Sequence, residues 1–427
     1  MYSSCRARLF ALKRIRFFSN KIENDRVYRP TPGQMETMLD IGSRAIFNED
    51  HDTLRTSVRR FFREEMVPMR KKWEDDGMVS RSAWLRMGEL GFLGMDTPVK
   101  KGGLGGSFLH SAIIMEEQSL TDGLGSGFVL HSDIVLPYII HYGSEEQMKR
   151  LLPDMLAGRK IGAIAMTEPH AGSDLQAIKT RATKQENGGY VLNGSKCFIT
   201  NGAMADVVIV VAVTNPHAKS PAHGISLLLV NADAEGFSRG KPIEKIGHKT
   251  QDVAELFFDD IHLPPDAILG KENHGFMYLM NQLPRERLLI GIAAVAHCEW
   301  MFEETRSYVT NRKAFGGTLA DLQTVQHKLA EMKTEICIAR AFIDQCIDMF
   351  NSGKLDSSTA SMAKYWVSEL EVKISSECVQ LHGGWGYAWE TPIARAFVQS
   401  RLQPLYGGSN EIMRELIARG IVGKKRT

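Results

Sequence analysis

Apolar residues along this chain recur at helical spacing up to about Leu156, at strand spacing from Gly162 to about Pro265, and at helical spacing again from about Gly275. A chain whose hydrophobic period switches from about 3.6 to about 2 and back must keep its helices and its strands in separate layers. In the first helical stretch, Leu54, Val58, Phe61 and Phe62 recur on one face of a segment opening at His51. A second segment runs from Ser80 to Leu90, and helices over 111–120, 128–141 and 144–156 follow, the last opening with a Ser144/Gln147 capping box. Gly102-Gly103-Leu104-Gly105-Gly106 lacks the Lys-Ser/Thr ending of a nucleotide loop, so it reads as a tight connection.

In the middle stretch, Val207–Val213 and Ile225–Val230 are unbroken strand-forming runs and Ala254–Leu263 alternates. Asn193-Gly194, inside the run 190–200, predicts a hairpin turn. Beyond Pro264-Pro265, long apolar-striped helices are expected over 276–308, 319–350 and 356–381, lengths that suit a bundle and subunit packing. The predicted fold class is an α+β multidomain chain: an N-terminal helical domain (41–160), a middle antiparallel β domain (161–274) and a C-terminal helical bundle (275–427).

Composition narrows the function. A net charge of +2 points to no nucleic acid or acidic polymer, and only scattered lysines would support a DNA-binding reading. Six cysteines show no metal-ligand spacing and read as buried thiols in a reducing compartment. No run reaches the eighteen or so apolar residues of a membrane span. The first 22 residues interleave Arg6, Arg8, Lys13, Arg14, Arg16 and Lys21 with Leu9, Phe10, Phe17 and Phe18 and hold no acid, the composition of a mitochondrial transit peptide.

Three loops rich in glycine and hydroxyl or amide groups stand out. Ala165-Met166-Thr167-Glu168-Pro169-His170-Ala171-Gly172-Ser173-Asp174 cannot be an ordinary helix, and its outward N–H groups suit phosphate oxygens or a polar heteroaromatic edge. On composition alone a solvent-exposed turn with an Asx cap is the first reading. Gln380-Leu381-His382-Gly383-Gly384-Trp385-Gly386-Tyr387 and Leu405-Tyr406-Gly407-Gly408-Ser409-Asn410-Glu411-Ile412 are the other two. With Arg312-Lys313-Ala314-Phe315-Gly316, their order and spacing resemble the acyl-CoA dehydrogenase family of flavoproteins from about Ile41 to the C-terminus. That resemblance implies the same three-domain architecture, with FAD held where the domains meet.

Glu286 is the candidate base. Taken alone, Arg285-Glu286-Arg287 reads as a solvated surface triplet. Pro284 removes a backbone N–H, so the helix is expected to bend or begin afresh there, with Glu286 in a first turn. In most of the family the base follows the tyrosine of a C-terminal Tyr-Glu-Gly-Thr loop; here that loop is Tyr406-Gly407-Gly408-Ser409. Long-chain and isovaleryl-type members instead supply the carboxylate from the helix where this chain has Glu286. The resemblance then implies removal of an α-proton by Glu286 and of the β-hydride by the flavin, giving a trans-2-enoyl-CoA. The backbone N–H of Gly407 is implied as a donor to the thioester oxygen, and burial is expected to raise the carboxyl's pKa.

The other roles carried over are likewise implications of resemblance. Flavin contacts fall on Ile164 to Ser173, with Thr167 near N5, on Phe198, Ile199 and Thr200, on Arg312 and Gln323, on Gln380 to Gly384 including Leu381, His382 and Gly383, and on Ser409, Asn410 and Glu411. Several of these would reach the flavin of a neighbouring subunit, implying an oligomer, in the family usually a homotetramer. Substrate contacts fall on Ser173, Ala222, His223, Tyr278, Pro284, Arg285, Glu286, Arg287, Gly407 and Gly408. Departures from the pattern are His170 for a glycine, Gln399 for an aspartate and Gly317 for a polar residue. The expected function is oxidation of long-chain acyl-CoA, branched chains included, in the mitochondrial matrix, with electrons passed to electron-transferring flavoprotein. The alternatives are an isovaleryl-type enzyme, a non-catalytic family member acting in assembly, and an acyl-CoA oxidase, whose usual extra C-terminal domain is missing.

Overall fold

A computed structural model describes residues 30–39, 44–121, 124 and 127–423; the basic segment 1–22 lies outside them. Among the described residues no helix is long and apolar enough to cross a membrane. The chain folds in the expected order of helices, sheet and helices.

The N-terminal helices are α1 (Glu49–Phe61), α2 (Arg70–Asp76), α3 (Arg81–Glu89), α4 (Phe108–Ser119), α5 (Leu136–Tyr142) and α6 (Glu145–Leu156). They bury Phe62, Trp73, Trp84, Met87 and Phe128 in one core. The Ser144/Gln147 capping box opens α6 as predicted. A π-helical turn, Leu130–Val135, leads directly into α5. The glycine run at 102–106 is a tight connection: Gly105 N–H donates to the Thr97 carbonyl, and a Cβ on Gly103 would lie 2.2 Å from that same oxygen.

The middle domain holds β1 (Gly162–Ala165), β2 (Arg181–Lys184), β3 (Tyr190–Thr200), β4 (Val207–Val213), β5 (Ile225–Asn231), β6 (Phe237–Arg239) and β7 (Val253–Leu263) in one seven-stranded sheet. Its order is β1-β4-β2-β3-β7-β6, with β5 also paired to β4. Most pairings are antiparallel, while β1–β4 and β2–β4 are parallel. The hairpin expected at Asn193-Gly194 is corrected. The β2–β3 turn falls at Asn187-Gly188, where Gly188 takes φ +83° and Asn187 Oδ1 accepts from Gly189 N. Asn193 instead pairs across to Asp260, its Oδ1 accepting from Asp260 N and its Nδ2 donating to Asp260 Oδ1, both at 2.9 Å. Gly194 then absorbs a bulge in the β3–β7 register. Two asparagine–glycine pairs compete for one turn, and cross-strand pairing of the side chain decides between them.

The bundle consists of α7 (Gly275–Asn311), α8 (Gln323–Asn351), α9 (Ser357–His382), α10 (Pro392–Ser400) and α11 (Asn410–Val422). A short hairpin of β8 (Lys313–Ala314) and β9 (Gly317–Thr318) joins α7 to α8. Helix α7 runs 37 residues straight through Pro284, so the fresh helix start expected there is corrected. An interior proline costs about 3 kcal/mol. A helix buried on nearly every face recovers more than that from packing, and Glu286 therefore sits inside a continuous helix.

Candidate active site

Glu286 is 8% exposed, in a helix whose neighbouring residues are buried too. Its Oε1 accepts a hydrogen bond of 3.1 Å from the hydroxyl of Tyr138 on α5. Burial pushes the carboxyl from the ordinary 4.5 up to about 7, with Tyr138, Arg287 and Arg285 pulling the other way. A carboxylate so poised is half ionised near neutrality, which suits a general base.

The flanking arginines are anchored away from it. Arg285 donates to the Asp133 carbonyl, Asp133 Oδ1 and Asp96 Oδ2. Arg287 donates to Ser357 Oγ at 3.0 Å. The surface-triplet reading therefore fails: all three residues are buried.

The loop after Tyr406 packs against the same helix. Gly407 and Gly408 take φ +64° and +90°, and a Cβ on Gly407 would stand 2.3 Å from Ile290 Cδ1, one turn along α7 from Glu286. The loop is held from beneath by Lys364, fully buried on α9, whose Nζ donates to the Gly408 carbonyl and to Asn410 Oδ1, both at 2.9 Å. Burial and then Arg287 bring that ammonium's pKa down to about 8. Asn410 donates onward to Ser368 Oγ, and Ser409 caps α11. Asn410 is thus used inside the fold, while Glu411 is exposed beside it.

The 164–173 loop leaves the end of β1. Ile164 and Ala165 are buried in the sheet, and the Thr167 carbonyl accepts from Cys197 N at 3.0 Å. The Glu168 carboxylate points inward, taking Lys196 Nζ at 2.8 Å and the N–H groups of Lys179 and Thr180. Its contribution is to pin the loop. Pro169, His170, Gly172 and Ser173 are exposed, and Gly172 has nothing within 4 Å of a Cβ. On β3, a register shift between Lys196 and Ile199 puts Phe198 at φ +57° with the residue 66% exposed, while Ile199 is buried and Thr200 Oγ1 accepts from Gln251. A large aromatic face held outward on a left-handed residue, beside a loop whose residues Gly172 and Ser173 are exposed, fits a planar polar ring system.

Gly383 and Gly384 likewise have open space where a Cβ would stand. The His382 ring is buried against Tyr308 at 4.2 Å with neither nitrogen hydrogen-bonded, and Leu381 is half-buried. Gln380, Arg312 and Gln323 are exposed, as is Phe315 on the β8–β9 hairpin, at 92%. Of the substrate candidates, Tyr278 is buried and stacked on Tyr142 at 4.0 Å, Pro284 and Ala222 are half-buried, and His223 is exposed, its Nδ1 2.7 Å from Ser220 Oγ.

Family models for the acyl-CoA dehydrogenase N-terminal, middle and C-terminal domains match residues 48–159, 163–261 and 273–422. The chain belongs to the acyl-CoA dehydrogenase family. Among its relatives, the mitochondrial long-chain specific acyl-CoA dehydrogenase of Rattus norvegicus is 58% identical over 385 residues, 90% of this chain and 89% of that protein. The mitochondrial isovaleryl-CoA dehydrogenase of Pongo abelii is 32% identical over 87% of this chain and 88% of its own. A crystal structure of an acyl-CoA dehydrogenase from Geobacillus kaustophilus superposes with a TM-score of 0.86 at 45% identity, covering 88% of this chain and 99% of that one. As a member of this acyl-CoA dehydrogenase family the protein is an oxidoreductase acting on acyl-CoA thioesters.

Sequence reasoning overlooked Tyr138, Asp133 and Lys364. Lys364 left a signal: it occupies a buried-face position of α9 between Ala360 and Val367, where a charge needs a partner. Tyr138 left none, since its partner is 148 residues away.

Proposed function

We propose that the protein is an FAD-dependent dehydrogenase of long-chain acyl-CoA, with Glu286 as the base. The observation that carries this reading is a buried carboxyl with its pKa raised to about 7, one helical turn from Ile290, onto which the glycine loop packs. Bound flavin supplies the acceptor for the β-hydride. The residues present fit it: the exposed backbone at Gly172 and Ser173 and the exposed aromatic Phe198 suit the isoalloxazine, and Arg312, Gln323 and Gln380–Gly384 suit the pyrophosphate. Glu286 takes the α-proton, and the Gly407 N–H is the donor to the thioester oxygen, a role a glycine fills as well as any residue. Closing the acyl chain over Glu286 excludes water and so strengthens both interactions.

The long-chain assignment rests on the contrast between 58% and 32% identity to the two relatives that differ in substrate. Placement in the mitochondrial matrix, transfer of electrons to electron-transferring flavoprotein and a homotetramer belong to the same reading, supported by the basic leader and the exposed aromatics of 315 and 385–389. The non-catalytic alternative is disfavoured by the placement of Glu286. Anaerobic titration of the purified protein with acyl-CoA of graded length should bleach the flavin most fully with long chains, and Glu286→Gln should abolish bleaching. Normal bleaching by that variant would overturn the assignment of the base.

A further inference from the structure

Two adjacent side chains of α7 grip one stretch of the N-terminal domain. Arg285 Nε donates to the Asp133 carbonyl at 2.8 Å, Nη2 to Asp133 Oδ1 at 2.9 Å and Nη1 to Asp96 Oδ2 at 2.7 Å. Its guanidinium also lies 5.1 Å over the ring of Phe108. Asp133 belongs to the π-helical turn 130–135, and α5 continues from that turn without a break, so fixing Asp133 fixes where α5 begins. The next residue along α7, Glu286, meets Tyr138 in the first turn of α5.

Tyr138 is fully buried, and among the described residues its hydroxyl makes no second hydrogen bond. Leu136, Ile139, Leu151 and Leu152 share its apolar core, where a phenylalanine would pack as well. A hydroxyl carried that deep costs desolvation unless something needs it. The carboxylate of Glu286 does.

We propose that Tyr138 is a positioning residue for the base, donating its phenolic hydrogen to Oε1 of Glu286 so that Oε2 is presented to the substrate's α-carbon, with the Arg285–Asp133 clamp holding Tyr138 in register. This rests on Glu286 being the base. In the proton step the α C–H bond breaks and its electron pair stays on the substrate, delocalised toward the thioester oxygen, while an O–H bond forms at Oε2 and Tyr138 keeps its own hydrogen. A donor to the ionised form favours that form, so the hydroxyl offsets part of the burial penalty and sets the pH at which the base is ready. The groups that act on this carboxyl are Tyr138 from α5, through its hydrogen bond, and Arg287 and Arg285 of its own helix, through their charge alone; Tyr142 stands behind Tyr138, and Lys364 of α9 lies beyond Arg287. Asp133 and Asp96 are occupied by Arg285.

The test is the pH profile of kcat/KM for the flavin-loaded protein with a long-chain acyl-CoA. Tyr138→Phe is expected to move the acid limb up by about one unit and so to lower kcat/KM at neutral pH about five-fold. A ring-fluorinated tyrosine placed at 138 keeps the shape and is a stronger donor; it is expected to move the limb down, and it decides the matter alone where the phenylalanine variant fails to fold. A limb that stays put in the fluorinated protein, or in a folded Tyr138→Phe, overturns the proposal. Failure of the unaltered protein to bleach with any acyl-CoA would instead overturn the proposed function, and the two outcomes are read separately.

Discussion

A missing side chain shapes this site as much as the carboxyl does. At Gly407 a single methyl group would stand 2.3 Å from Ile290 Cδ1 on a backbone at φ +64°, so both space and conformation exclude it. Gly407→Ala should destabilise the protein by about 1–3 kcal/mol and lower kcat by displacing the loop N–H. Ile290→Val removes the offending Cδ1 and should restore part of that loss in the double variant, as read in thermal melts. Glu286 carries the opposite liability. Its folded pKa of about 7 lies above the ordinary 4.5, so the native chain binds the extra proton between those values and stability falls as pH climbs through the window. Glu286→Gln should therefore be more stable than the parent at pH 8, by on the order of 2 kcal/mol, and should lose the advantage below the ordinary carboxylate range. Denaturant titrations at the two pH values check it.

Among the elements, α9 has a role its stripe does not announce. Its apolar face contains Lys364 and Glu371, both fully buried, one bonded to the Gly408 carbonyl and the other to His297 Nδ1 at 2.7 Å. Lys364→Met keeps the bulk of the stem but strips the Gly408 carbonyl and the Asn410 side chain of their donor. The expected cost is about 1–3 kcal/mol in the denaturant midpoint, with KM for acyl-CoA raised because the loop loosens. Charges at helical spacing on an otherwise apolar face were visible in the sequence; what they bond was not. The 37-residue length of α7 was nearly legible too, and only the proline misled, because local breaking power is outweighed by burial that a one-dimensional pattern does not report.

Across the whole molecule, the N-terminal domain and the bundle are joined by a buried ionic network. Glu116 of α4 takes Arg44, Arg55 and Arg340, while Arg44 also meets Asp344 and Arg340 meets Glu299, at 2.6–2.8 Å. Burial opposes ionisation of Glu116, but Arg44, Arg340 and Arg55 hold its carboxyl well below the usual range. Stability from that charge is present above the ordinary carboxylate pKa and lost as pH falls through the depressed one. Glu116→Gln leaves buried arginines under-compensated and should cost about 3–5 kcal/mol. In calorimetry the parent should melt in one transition and the variant in two, the helical N-terminal part first.

The sequence determined the order of the three domains, the limits of most helices to within a few residues and the glycine loops, because period, capping and turn chemistry are written over a few neighbouring residues; Glu286 as the proposed base came from family resemblance, since its own triplet reads locally as a surface one. It also showed a carboxyl missing at Gly407 and present at Glu286. Tertiary structure alone decided which asparagine–glycine pair turns the chain, that α7 continues through Pro284, and that Tyr138, Asp133 and Lys364 meet Glu286, Arg285 and the glycine loop. Each of those depends on a partner tens to hundreds of residues away, and the energy that selects it comes from burial and pairing across the fold.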